Sequence, residues 1–124
     1  MTDLNDIDMW AKISPNTENE FEKFKKKTIK TLIRQSARYS AAATQDESPL
    51  IALLHANYGA GYLWALRDVA TDVEIKKYGN VDILEFQNKI TSIQDKATKL
   101  VSGTCPKFVG KVEHELMRLA GDMN

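Results

Sequence analysis

The sequence predicts an all-α protein: a compact bundle of four principal helices with two short ones. Apolar residues recur at helical spacing along most of the chain, and no stretch alternates with the period of two that strands require. Start and stop signals for helices fall at the ends of these periodic stretches. The principal helices are expected at about 17–43, 49–70, 83–101 and 106–120, and the short ones near 4–13 and 72–78.

The first two helices are predicted on either side of a break at Ser14-Pro15-Asn16. Proline removes a backbone donor, so the short helix should end there. Thr17 and Glu20 form the capping-box pattern that opens a helix. The apolar residues of this second helix share one face, which indicates a helix on the outside of the bundle. They are Phe21, Phe24, Ile29, Leu32, Ile33, Tyr39 and Ala43.

Later helices have equally clear start signals. Pro49 follows Ser48 at a helix start, Thr71 begins a second capping box, and Asp82 and Pro106 begin the last two helices. Each of these two helices carries one apolar face, so both are expected to pack around a centre. The faces are Ile83, Phe86, Ile90, Ile93, Ala97, Leu100 and Val101, and then Phe108, Val109, Val112, Leu116, Leu119 and Ala120.

The helix over 49–70 differs because its apolar residues point in every direction. Residues 48–66 contain no charge. Such a helix is either buried or in a membrane. The polar residues His55 and Asn57 and the acidic flanks argue against a membrane span. We therefore expect the central, buried helix of the bundle, and no membrane contact.

Composition indicates an ordinary single globular domain covering residues 1–124. Cys105 is the only cysteine, so no disulfide can form within the chain, and a reducing cytoplasmic location is expected. The amino terminus is acidic and lacks the apolar run of a signal peptide, which predicts that the mature protein begins at Met1.

One side of the central helix consists of small residues. Glycine lowers stability in a helix interior, so Gly59 suggests close approach of another helix backbone. Packing within the chain is favoured over an interface with a second subunit. The small face contains Ala52, Ala56, Gly59 and Ala60.

The same helix carries a candidate ligand pocket. A histidine close to phenols can transfer protons or bind a ligand. A hydrogen-bonded core histidine with packed tyrosines is the commoner arrangement, and it is the favoured interpretation. The candidate pocket residues are His55, Tyr58, Tyr62 and Trp64.

Bases are concentrated in one stretch although the formal net charge is zero. Residues 23–44 hold seven bases and no acid, and five of the bases form a stripe that is suited to phosphate contacts. Nucleic acid is not the favoured partner, because the whole chain is neutral and the stripe lacks side chains that read bases. The stripe consists of Lys23, Lys27, Lys30, Arg34 and Arg38.

No motif specifies catalysis, a metal or a cofactor. The run Glu113-His114-Glu115 resembles a ligand set, but consecutive helical residues diverge by about 100° and cannot converge on one ion. We therefore predict a non-catalytic interaction, assembly or regulatory protein that contacts a protein partner or a second copy of itself as a homodimer. The alternatives are nucleic-acid binding through helix 23–38 and a small-ligand or enzymatic site around His55.

Overall fold

A computed structural model of the protein describes the backbone of residues 4–108 and the side chains of residues 19–107. The described residues form four α-helices and no strand, which confirms the all-α prediction. The helices are α1 (Leu4–Gln45), α2 (Pro49–Val69), α3 (Asp72–Gly79) and α4 (Ile83–Thr104), followed by a 3₁₀ turn at Pro106–Phe108.

Helix α1 is continuous, so the predicted break at Ser14-Pro15-Asn16 is wrong. Pro15 removes a single backbone donor from the helix. Starting a new helix requires a costly first turn, whereas extending an existing one adds a hydrogen bond for every residue fixed. The helix therefore continues across the proline, and the start signal at Thr17 lies in its interior.

The ends of the other helices follow the predicted caps. Ser48 caps α2 with Pro49 at its first position, and Asp82 caps α4. Thr71 and Glu74 form the complete capping box of α3. Helix α3 ends at Asn80, which adopts the left-handed conformation at φ 53°. Asparagine tolerates this conformation better than most residues, so the chain can reverse direction there.

Helix α2 lies between α1 and α4 and runs antiparallel to both. Ser36 of α1 contacts Gly59 of α2, and Asp46 of the following loop contacts His55 of α2. Residues farther before the loop therefore meet residues farther after it, as in an antiparallel pair of helices. On the other side, the Gln94 side chain of α4 donates a hydrogen bond to Asn57 at 3.0 Å. The predicted central position of this helix is therefore correct.

The core has two parts along α2. The larger cluster contains Ile29, Ala60, Leu63, Leu66, Ala70, Ile75, Ile83 and Ile90, and joins all four helices. The smaller cluster, near the α1–α2 loop, is built on Ala43, Ala56 and Ala97. Alanines at these positions allow the three helices to approach closely at that end of the bundle.

The predicted burial of α2 on all sides is wrong. Its buried residues lie on the side of α1 and α4, whereas Leu50, Leu54, Tyr58 and Trp64 are exposed on the described surface. Two neighbouring helices cover only part of a helix circumference. Neither α1 nor α4 therefore covers the remaining side of α2.

Three other residues predicted to be buried are also exposed. Phe21 and Phe24 are 66% and 70% exposed, because α1, at about 63 Å, is twice as long as α2 and extends past it. Leu100 is 53% exposed near the end of α4.

The predicted helix 106–120 lies almost entirely outside the described residues, which include only its first turn, the 3₁₀ turn. Among the described residues, no helix combines the length and the apolar character needed to cross a membrane.

Candidate functional site

The small face of α2 lies against α1 of the same chain. Ser36 Oγ donates a buried hydrogen bond of 2.7 Å to the carbonyl oxygen of Gly59. A Cβ atom added at Gly59 would collide with the Ser40 hydroxyl and lie 3.0 Å from the Ser36 carbonyl oxygen. Close packing within the chain therefore requires the glycine. The four residues of this face are all buried: Ala52, Ala56, Gly59 and Ala60.

A cluster of aromatic rings lies at one edge of the contact between α1 and α2. Tyr39 of α1 stacks on Tyr62 with ring centroids 5.8 Å apart, and it meets the Tyr58 ring edge-on at 5.3 Å. The His55 ring is 5.9 Å from the Tyr39 ring. The structure therefore brings together three of the four predicted pocket residues around a tyrosine that the sequence placed only on the apolar face of its helix.

Trp64 does not join this cluster. At 100° per residue, its side chain leaves α2 at least 120° away from those of Tyr58 and Tyr62. It is 45% exposed. The predicted pocket therefore has His55, Tyr58 and Tyr62 as neighbours, and Trp64 belongs to another side of the helix.

His55 is held by Asp46, which lies in the loop before α2. The His55 Nδ1 and Asp46 Oδ2 atoms are 2.6 Å apart, and both side chains are about three-quarters buried. The contact orients the imidazole and ties the loop to the second turn of α2. Among the described hydrogen bonds, none joins this pair to a serine, threonine or cysteine side chain.

The sequence contained a signal for the position of Tyr39, which the sequence analysis did not place near the pocket. In an antiparallel helical hairpin, positions at similar distances from the turn lie close together. Tyr39 lies eight residues before Glu47 in the loop, and His55 lies eight residues after it. Applying this register would have placed the Tyr39 ring beside the predicted pocket.

A shallow, open depression of about 480 Å³ lies next to the aromatic cluster. Its wall consists of Tyr39, Asn57, Tyr58, Gly61, Tyr62 and Ala65. The lining therefore combines three aromatic rings with the bare backbone of Gly61. A small-ligand site there stays a prediction.

The depression continues into an apolar strip on the open side of α2, which we call the outer face. The strip consists of Leu50, Leu54, Tyr58, Gly61, Ala65 and Val69. Leu50, Leu54, Tyr58 and Val69 are between 43% and 53% exposed. Their spacing of three or four residues places them on one side of the helix, as in helices that pack against another helix. The exposed Asp68 lies on the same side in the last turn of α2, about 20° from Gly61 around the helix axis.

The basic stripe of α1 lies on the opposite side of that helix from its core residues. Every one of its members is exposed: Lys23, Lys27, Lys30, Arg34 and Arg38. Lys23 forms an exposed ion pair with Glu20 at 3.6 Å. From Lys23 to Arg38 the stripe is about 23 Å long, since a helix rises 1.5 Å per residue.

A separate polar contact attaches α3 to α1. Lys25 Nζ lies 2.9 Å from the Glu74 carboxylate, which also accepts the Thr71 backbone N–H at 2.9 Å. The Thr71 backbone hydrogen bond, followed by the Lys25 contact, lowers the pKa of Glu74 below its usual value of 4.5. Glu74 thus caps α3 and holds it beside α1.

Within the part of the chain that the structure describes, no three metal-binding side chains lie together. The candidate run Glu113-His114-Glu115 falls outside those residues. Cys105 is partly exposed at the carboxyl end of α4. Comparison of the chain with protein families, curated proteins and solved structures finds no match.

Proposed function

We propose that this protein acts through protein–protein contacts and that the outer face of α2 is its contact surface. The observation that carries this proposal is a row of large apolar side chains, about half exposed, on a side of α2 whose charged residue, Asp68, lies in the last turn. Soluble proteins rarely expose contiguous apolar surface unless it contacts something.

The composition of the face supports a protein partner. Leucines form the apolar part of a helix contact, and tyrosine is common among residues that dominate binding energy. The spacing of the face matches the anchors by which one helix recognises another. An amphipathic helix is therefore the kind of partner that the outer face fits.

Photocrosslinking from the outer face tests this proposal. A photoreactive benzophenone side chain is introduced at Tyr58 and, as a matched control, at the exposed Lys89 of α4. The full-length protein is then irradiated in the cells that produce it. We expect a defined adduct from position 58 and none from position 89. If position 58 gives no adduct beyond the control, the outer face is not a contact surface.

The basic stripe of α1 supports a second candidate, nucleic-acid binding. Its five cations are all exposed and lie along one line, the arrangement that follows a phosphate backbone. Retention on heparin near physiological salt, lost in the variant Lys27→Glu/Arg34→Glu, is the expected result for this candidate. Flow-through of the unchanged protein would eliminate it.

A further inference from the structure

The side chains of the outer face follow an order that complements itself. We propose that the outer face of α2 packs antiparallel against the same face of a second copy of this chain. This inference rests on the proposed function, because it names the partner of that same surface. A symmetric contact of this kind joins one surface to itself through a two-fold axis.

The proposed register places the two-fold axis across α2 between residues 59 and 60. Three kinds of residue pair then face each other across the contact: Leu50 with Val69, Leu54 with Ala65, and Tyr58 with Gly61. In the last two pairs a large side chain meets a small residue. Alternating large and small residues let two helices interdigitate, so the order of sizes fits a copy of the same helix reversed in direction.

Gly61 is the residue that requires this explanation. Glycine in a helix interior lowers stability relative to alanine. A Cβ atom added at Gly61 would meet nothing within 4 Å, so packing among the described residues does not require a glycine there. Gly59, two residues earlier, is required by α1. In the proposed register, the Tyr58 ring of the second copy covers the bare backbone of Gly61.

The size of the face sets the strength of the association. The strip from Leu50 to Val69 is about 30 Å long and a helix is about 10 Å wide, which gives a footprint of about 300 Å² per copy. Stable dimers bury about 800 Å² per partner. We therefore expect reversible association with a dissociation constant of about 10 to 100 μM.

The residues after Phe108 are the competing occupant of the outer face. Leu100 of α4 lines one groove with Pro49 and Ala52, so α4 ends beside the start of α2. The segment 106–120 has its own predicted apolar face and is long enough to run along α2. The experiment must therefore separate a contact between copies from one within a single chain.

Molar mass by light scattering over a dilution series, with a size-swap pair of variants, makes this separation. The unchanged protein should move from 14.0 kDa toward twice that mass as its concentration rises. The variant Gly61→Tyr places two tyrosines in the same space and should weaken association at least tenfold. The double variant Tyr58→Ala/Gly61→Tyr restores one large and one small residue and should recover association.

Thermal unfolding of the same variants identifies the occupant. If the face is free in the monomer, Gly61→Tyr leaves the dilute protein at least as stable as the unchanged one, because tyrosine favours a helix more than glycine does. A mass of 14.0 kDa at every concentration overturns the proposal. A lower thermal midpoint for Gly61→Tyr in dilute solution, with that constant mass, assigns the face to the chain's own segment. A photocrosslinked adduct with another protein, together with constant mass, preserves the proposed function and removes only the second copy.

Cysteine pairing tests the direction of the contact in a Cys105→Ser background. In the antiparallel register, a Leu54→Cys chain mixed with an Ala65→Cys chain should form a disulfide between the two variants. Disulfides of Leu54→Cys with itself and of Ala65→Cys with itself should be minor, because the register separates equivalent positions. Predominant self-pairing of both variants would overturn the antiparallel register.

Discussion

The two glycines of α2 should respond in opposite ways to the same substitution. In Gly59→Ala the new methyl group collides with the Ser40 hydroxyl and lies 3.0 Å from the Ser36 carbonyl oxygen and 3.1 Å from the Ser40 backbone nitrogen. The hydroxyl can rotate away, whereas the two backbone atoms belong to α1. Helices α1 and α2 must therefore separate locally.

The free energy of unfolding changes through three contributions at Gly59. Alanine gains about 1 kcal/mol over glycine in a helix interior. Overpacking a well-packed contact costs about 1–3 kcal/mol. Disturbing the buried Ser36–Gly59 hydrogen bond costs a further ~0.5–1.5 kcal/mol. Gly59→Ala should thus be less stable by about 0.5–3.5 kcal/mol, whereas Gly61→Ala keeps only the gain of about 1 kcal/mol.

Urea unfolding followed by circular dichroism measures both changes. Protein at about 1 μM lies below the dissociation constant expected for the pair of α2 helices, so the monomer is observed. The decisive quantity is the difference in unfolding free energy between Gly59→Ala and Gly61→Ala. If Gly59→Ala gains as much stability as Gly61→Ala, α1 does not approach α2 closely at this point and the packing argument fails.

Three further predictions use the same unfolding measurement. Ser40 Oγ is buried without a hydrogen-bond partner among the described residues, so Ser40→Ala should raise stability by about 1 kcal/mol. Ser36→Ala should lower stability by a similar amount because it removes the bond to Gly59, and equal signs would contradict this assignment. Leu63 is fully buried, so Leu63→Ala should lower the free energy of unfolding by about 2–5 kcal/mol. Leu50→Ala on the outer face should lower it by about 0.5 kcal/mol or less, and comparable losses would refute the distinction between the buried and open sides. Glu74 has a lowered pKa when folded, so its contribution is present above its unfolded pKa of 4.5 and disappears as the pH falls through the lower folded value. Glu74→Gln should therefore be less stable than the unchanged protein at pH 7 and approach it as the pH falls below the folded pKa of Glu74, and a difference independent of pH would exclude this role.

Local signals in the sequence predicted most of the helix boundaries. Ser48, Thr71 and Asp82 each cap a helix with their own side chain, and this chemistry depends only on the next few residues. The break at Pro15 is the exception. Losing one backbone hydrogen bond costs less than starting a second helix. The proline in the sequence does not by itself show which of these two costs is larger.

The candidate sites depend on which sides of the helices meet. Apolar residues occur around the whole circumference of α2, so the sequence pattern does not distinguish one side of this helix from another. In the structure α1 and α4 pack against the side of α2 that contains Gly59 and Ala60, because these small residues let the helix backbones approach closely. The larger Leu54 and Tyr58 side chains are left on the open side.

Hydrophobic spacing and capping act over a few residues, so the sequence alone is sufficient to predict that this chain is helical, where its internal helices begin, and that α2 is central. The packing of the helices is needed to place the Tyr39 ring beside His55, Tyr58 and Tyr62 and to place Asp46 against His55. It is also needed to show that one apolar side of α2 is exposed among the described residues. Those outcomes depend on the register and the number of neighbouring helices, which contacts between distant parts of the chain determine.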